Sequence, residues 1–232
     1  MSKIKSPIIV ALDFDDAASA FAMLDQLDPQ LCRVKIGKAL FTRVGPELVN
    51  RAQAQGFDVF LDLKFHDIPN TVAGAVKSCA DLGVWMCNVH ASGGMKMMVA
   101  AVDALQEYKE QKPLLIGVTV LTSLSENEVA EIGFRLNTKE LVSQFANQAL
   151  RAGLDGVVCS AWEAPLLRPI SPDFLLVTPG IRLPGAKADD QARIKTPQEA
   201  MAAGASYLVM GRPITGAAKP LKVLQDLVMS LG

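Results

Sequence analysis

Between residues 62 and 71 the chain reads Asp-Leu-Lys-Phe-His-Asp-Ile-Pro-Asn-Thr, and three charged side chains in that run stand at spacings that chemistry can use. Residues two apart on a strand share a face, so Asp62 and Lys64 enter one cavity while Leu61 and Leu63 point to the other side. Lys35 from the neighbouring strand and Asp67 from the following loop extend the set to two ammonium groups and two carboxylates. Two like charges ~4 Å apart repel by about 4 kcal/mol at an effective dielectric near 20, so the set is tolerable only if the signs interleave. The expected order is Lys35, Asp62, Lys64, Asp67. An acid and a base held together in a cavity point to proton transfer, and the competing role is a set of salt bridges closing one end of a barrel.

These groups need a scaffold, and the rest of the chain supplies one. Short β-branched and apolar runs recur at residues 8–13, 33–37, 59–64, 85–90, 114–120, 156–160, 174–178 and 207–211. Segments with helical period lie at residues 17–27, 46–54, 71–82, 95–110, 138–152 and 197–203. Strands that are apolar on both faces and alternate with helices imply a parallel sheet, and eight such units in 232 residues favour closure. The expectation is an α/β fold, one (β/α)8 TIM barrel over residues 1–232. Gly56, Gly83, Gly153 and Gly204 each stand just before a strand, where a helix ends with a left-handed residue. No Gly-x-Gly-x-x-Gly follows the first strand, which counts against a dinucleotide fold. A barrel of this type carries its chemistry at the C-terminal strand ends. Those ends hold Asp13, Lys35, Asp62 with Lys64, Thr119 with Thr122, Arg182, and Gly211-Arg212.

Composition narrows the function classes. Hydrophobic residues make up 50% and charged residues 20%, with 13 prolines and 17 glycines dispersed, as in a compact globular chain. The formal net charge is −1 and no Lys/Arg run stands out, so a nucleic-acid partner is not expected. The apolar run after the first six residues is too short for a signal segment or membrane span, which predicts a cytoplasmic protein without membrane contact. Cys32, Cys79, Cys87 and Cys159 lack the spacing of a zinc site or disulfide framework and read as buried thiols. His66 and His90 have no partner at i+3 or i+4, so no metal site is predicted.

The run at residues 62–71 occurs together with VALDF at 10–14, RVKIG at 33–37, NVHASGG at 88–94, VLTS at 120–123, TPGIR at 178–182 and GRPIT at 211–215. In this order, and over nearly the whole chain, the set resembles the bacterial orotidine 5'-monophosphate decarboxylase family. The resemblance implies a cofactor-free lyase that converts orotidine 5'-monophosphate to UMP and CO2, the last step of de novo UMP synthesis. It implies Lys64 as proton donor, Asp62 facing the substrate carboxyl group, and Lys35 and Asp67 completing the array. It further implies that Asp13 and Lys35 hold ribose hydroxyls with help from Thr71, that Thr122 and Ser123 lie near the pyrimidine, and that Arg182, Gln191, Gly211 and Arg212 take the phosphate. Residues 183–191 form a polar loop that reads as a lid over that phosphate. The resemblance also implies a homodimer in which Asp67 and Thr71 complete the partner's site.

Two other readings compete. Magnesium-dependent sugar-phosphate lyases of the same superfamily, such as hexulose-phosphate synthase or keto-gulonate-phosphate decarboxylase, share Asp-x-Lys-x-x-Asp. An acid occupies in them the place of Lys35, whose ammonium would repel Mg2+. A non-catalytic module binding a sugar or nucleotide phosphate through Arg182, Gln191 and Arg212 would leave Lys35, Asp62, Lys64 and Asp67 without a purpose.

Overall fold

The computed structural model describes residues 6–183 and 195–231. Eight parallel strands close on themselves in chain order: β1 (Ile8–Ala11), β2 (Arg33–Gly37), β3 (Val59–Phe65), β4 (Met86–His90), β5 (Leu114–Val118), β6 (Gly156–Val158), β7 (Leu175–Thr178) and β8 (Tyr207–Met210). β8 returns to β1 through the pairs Ile8–Leu208, Ile9–Val209 and Val10–Met210, which completes the TIM barrel the sequence predicts.

The two-residue period of each strand sorts its side chains between two apolar regions. Ile8, Val10, Val34, Ile36, Val59, Leu61, Cys87 and Val89 face the helices and are buried there. Ile9, Phe60, Met86, Ile116 and Val177 form a separate cluster inside the barrel. That parity fixes the inward positions one step further along. Lys35 follows Arg33 on the interior face of β2, Asp62 follows Phe60 on β3, and Asn88 follows Met86 on β4. At the N-terminal mouth, the Arg33 guanidinium lies 4.4 Å from the Trp85 ring centre and 5.1 Å from that of Tyr207. Its Nη1 donates to the Ser6 carbonyl at 2.8 Å and its Nε faces the Asp58 carboxylate at 3.3 Å, so the barrel is floored there.

The helices that cover the strands are α1 (Ala17–Leu24), α2 (Lys38–Val44), α3 (Pro46–Ala54), α4 (Pro69–Asp81), α5 (Met95–Ala104), α6 (Glu126–Glu131), α7 (Thr138–Ala152), α8 (Ala164–Leu167), α9 (Pro197–Ala202), α10 (Arg212–Thr215) and α11 (Pro220–Leu231). α7 starts with a reciprocal cap between Asn137 and Glu140, and Gly153 closes it in the left-handed region. The other three glycines expected to end helices also have positive φ.

Helix ends differ from the sequence reading where the apolar face runs out. The helix expected over 95–110 stops at Ala104, because residues 106–111 offer no buried side chain, and the chain continues as a 3-10 turn with a kink at Lys109. α4 begins two residues earlier than expected, since Pro69 suits the first helical position. The sequence pattern does not mark α2, α6, α8, α10 or α11, although α11 buries Leu224 and Leu227 at a helical spacing. The four cysteines are buried free thiols. Among the described residues no helix is long and apolar enough to cross a membrane.

Candidate active site

At the C-terminal ends of the strands the barrel opens into a cavity of about 550 Å³. Its charged wall is built by β1, β2 and β3. The Lys35 ammonium bridges two carboxylates, at 3.2 Å from Asp13 and 3.4 Å from Asp62. Asp62 in turn receives Lys64 at 2.6 Å. Within one chain the alternation therefore reads Asp13, Lys35, Asp62, Lys64.

Lys64 reaches this wall by an irregular route. The strand period alone would carry it inward, yet β3 breaks register with β4 between Leu61 and Phe65, and Lys64 has φ 54°. A non-glycine residue in the left-handed region is strained by about 1 kcal/mol or more. Asn88 offsets this by accepting the Lys64 backbone N–H at 2.8 Å, while its own amide donates to Asp62 at 2.7 Å. Asn88 is fully buried and supports the site from behind, and the sequence marks it only as part of the run at 88–94. A polar amide at an inward position of an apolar strand was the available signal.

Burial pushes the Asp62 carboxyl up, but the ammonium groups of Lys35 and Lys64 and hydrogen bonds from Lys64 and Asn88 outweigh it, leaving Asp62 below the usual carboxylate range. It stays ionised at neutral pH. His90, at the end of β4, moves down to about 4, first through burial and then through the charges of His66, Lys38 and Lys64, with Asp62 opposing.

Opposite the charged wall, Val118, Val120, Leu121, Val158, Val177 and Val209 supply an apolar surface, with Thr122 at its edge. Arg182, Gly211 and Arg212 line the remaining side. Arg182 is only 9% exposed, its Nη1 donates to the Ile181 carbonyl, and its Nε has no partner among the described residues. Thr119 donates to the Val158 carbonyl at 2.8 Å and is taken up by the framework.

The structure does not gather every expected residue. Ser123 is exposed and lies off the cavity wall, and Gln191 and the loop after Leu183 fall outside the described residues. Asp67 and Thr71 are exposed and line a separate pocket of about 250 Å³, which shares Lys64 with the main cavity. Asp67 accepts the N–H of its neighbour Ile68 at 2.6 Å and makes no ion pair with Lys64 in its own chain.

A closed eight-stranded barrel with buried charges at the C-terminal rim is the architecture of a TIM-barrel enzyme. The model of the Orotidine 5'-phosphate decarboxylase / HUMPS family matches residues 6–227, and the chain belongs to that family. It is 55% identical to orotidine 5'-phosphate decarboxylase of Pseudomonas aeruginosa (strain LESB58) over the whole of both chains. To the enzyme of that name from Hahella chejuensis it is 57% identical over 222 residues, 95% of each. A crystal structure of orotidine 5'-phosphate decarboxylase from Lactobacillus acidophilus superposes with a TM-score of 0.88 at 38% identity, covering 98% of this chain and all of that one.

Proposed function

We propose that the protein decarboxylates orotidine 5'-monophosphate to UMP and CO2 without a metal or organic cofactor, as the last step of de novo UMP synthesis. The observation that carries this reading is the ladder of alternating charges ending in the Lys64 ammonium, set in a cavity that also holds two arginines. When the bond between ring carbon C6 and the carboxylate breaks, the electron pair stays on an sp2 carbon that no adjacent carbonyl fully stabilises. A fixed cation aimed at that carbon lowers the barrier because the site needs little rearrangement as charge develops. Lys64 meets the developing pair and then delivers a proton to C6. Asp62 holds Lys64 in place and faces the departing carboxylate.

Asp13 and Lys35 suit ribose hydroxyls, the apolar wall with Thr122 and Ser123 suits the pyrimidine, and Arg182, Gly211 and Arg212 with Gln191 suit the phosphate. The unpartnered Nε of buried Arg182 supports that last assignment. Asp67 and Thr71 are read as serving a second subunit across a two-fold interface. Their exposure, and the absence of an Asp67–Lys64 pair within one chain, support this.

The metal-dependent sugar-phosphate lyase remains the rival chemistry. Lys35 stands between the two carboxylates that a cation would have to share, which favours the metal-free reading. The test is the loss of orotidylate absorbance on adding purified protein, with excess EDTA or with Mg2+. Turnover undiminished by EDTA is expected, whereas a loss restored by Mg2+ would overturn it. Lys64→Ala should lower kcat by at least about a thousandfold while UMP still binds, because the ammonium acts on the carbanion rather than on the nucleotide. Near-normal turnover in that variant would sink the mechanism.

A further inference from the structure

The run at residues 88–94 contributes Asn88 to the site, but the proposed reaction leaves His90 and Gly93 unused. Their surroundings show a common purpose. β4 seats the last part of β3 residue by residue: Asn88 holds the Lys64 N–H, Val89 pairs with Phe65, and the His90 ring lies 5.3 Å from the His66 ring with their planes 37° apart. Each of these partners is 24 positions apart. Upstream, Phe60–Met86 and Leu61–Cys87 are 26 apart, and Asn88 still bonds Asp62 in that older register. The two-residue step is absorbed at Lys64. Everything beyond Lys64, including the exit of the chain toward Asp67, thus depends on the second register.

His66 is its last anchor. A side chain on Gly93 would collide with Met97 Sδ and come within 3.2 Å of His66 Cδ2, so the bare turn after β4 leaves room for the imidazole. The next residue is Asp67, joined to His66 by one rigid peptide. We infer that His66 and His90 are a pair of positioning residues whose tilted, neighbouring rings fix the direction in which Asp67 leaves the barrel. This rests on the reading that Asp67 acts on substrate in a neighbouring subunit. The groups facing His90 are Lys64, Asp62 and His66 from β3 and its exit, and Lys38 from α2. With His90 lowered to about 4, first by burial and with the Lys38 and Lys64 charges adding to it, its ring packs at neutral pH without adding a cation beside Lys64.

The experiment uses the full-length protein with His66→Ala, His90→Ala and His90→Phe, each alone and combined with Asp67→Ala. His66 is exposed, so its truncation spares the core if His90→Ala folds poorly. Each alanine variant should lower kcat by about tenfold to a hundredfold, the range expected when a group is misplaced by about 1 Å. In the Asp67→Ala background the same substitutions should change kcat by less than about twofold, because the residue they position is gone. His90→Phe, which keeps a ring against His66, should recover most of the loss.

Losses that multiply undiminished with Asp67→Ala overturn the inference, as does a His90→Phe variant no better than His90→Ala. Deuterium uptake by backbone amides 66–72 of the ligand-free protein is read in parallel. It should rise in His66→Ala, and unchanged uptake overturns the positioning role. Should wild-type protein fail to convert orotidylate at all, the reaction reading falls separately, and the exchange measurement alone decides the ring pair.

Discussion

One amide side chain ties the two halves of the charged wall together. Asn88 donates to Asp62 and accepts from the Lys64 backbone, and it is fully buried while doing both. Asn88→Ala leaves the half-buried Lys64 N–H without its acceptor and takes one of two hydrogen bonds from the buried Asp62 carboxylate, which should cost about 2–4 kcal/mol of stability. Urea unfolding checks this, and a loss under about 1 kcal/mol would mean that Lys64 keeps its left-handed backbone without help. His90 adds a pH dependence. Its folded-state value of about 4 lies below the ordinary 6.5, so the unfolded chain binds more protons between those values. Stability contributed by neutral His90 is therefore present above pH 6.5 and lost as pH falls toward 4. His90→Phe should show a shallower fall in Tm across that window than wild type. Parallel Tm curves for the two proteins would remove His90 as the cause. The charges at this scale were legible in the sequence, because Asp62, Lys64 and Lys35 stand at strand ends with fixed parity. Asn88 carries no charge, and its role depends on a register shift that no spacing reveals.

Among the elements, β6 lies tightly against β7 at Gly156. A Cβ on Gly156 would press on the backbone carbonyl of Leu175 and lie 2.5 Å from its Cβ, and a backbone cannot swing aside as a flexible side chain can. Gly156→Ala should destabilise the protein by about 2–3 kcal/mol through overpacking. A melting temperature equal to wild type would show that β6 and β7 can separate there. All eight strands were legible because each is a short apolar run, and the structure moves their ends by at most two residues, leaving 33–37 unchanged and extending 59–64 to Phe65. The helices were read less completely. α2 begins directly at the end of β2 and is only seven residues long, with Leu40 its one buried residue, so too short an apolar period precedes Gly45 to announce it. The irregularity of β3 was invisible for a different reason. Its sequence alternates as a regular strand would, and only β4 imposes the bulge.

At the scale of the molecule, the question is where Asp67 acts. Lys64→Ala and Asp67→Ala subunits, mixed under conditions that allow exchange, should each be nearly inactive alone. If sites are shared, every heterodimer holds one site with both residues intact and one lacking both. Random pairing of equal amounts makes roughly half the dimers mixed, so roughly a quarter of all sites become native. Verified exchange without recovery of activity would place Asp67 in its own barrel. The closed circle of strands bears on the same question. A sheet with no first or last strand has no free edge to lend, so a second copy cannot join by extending it. Only loops and helix faces remain for association. Ile68, 66% exposed, stands next to Asp67 beyond the C-terminal end of β3. If sites are shared, the rim serves both recognition between chains and chemistry, and a substitution there made to alter one must be tested for the other.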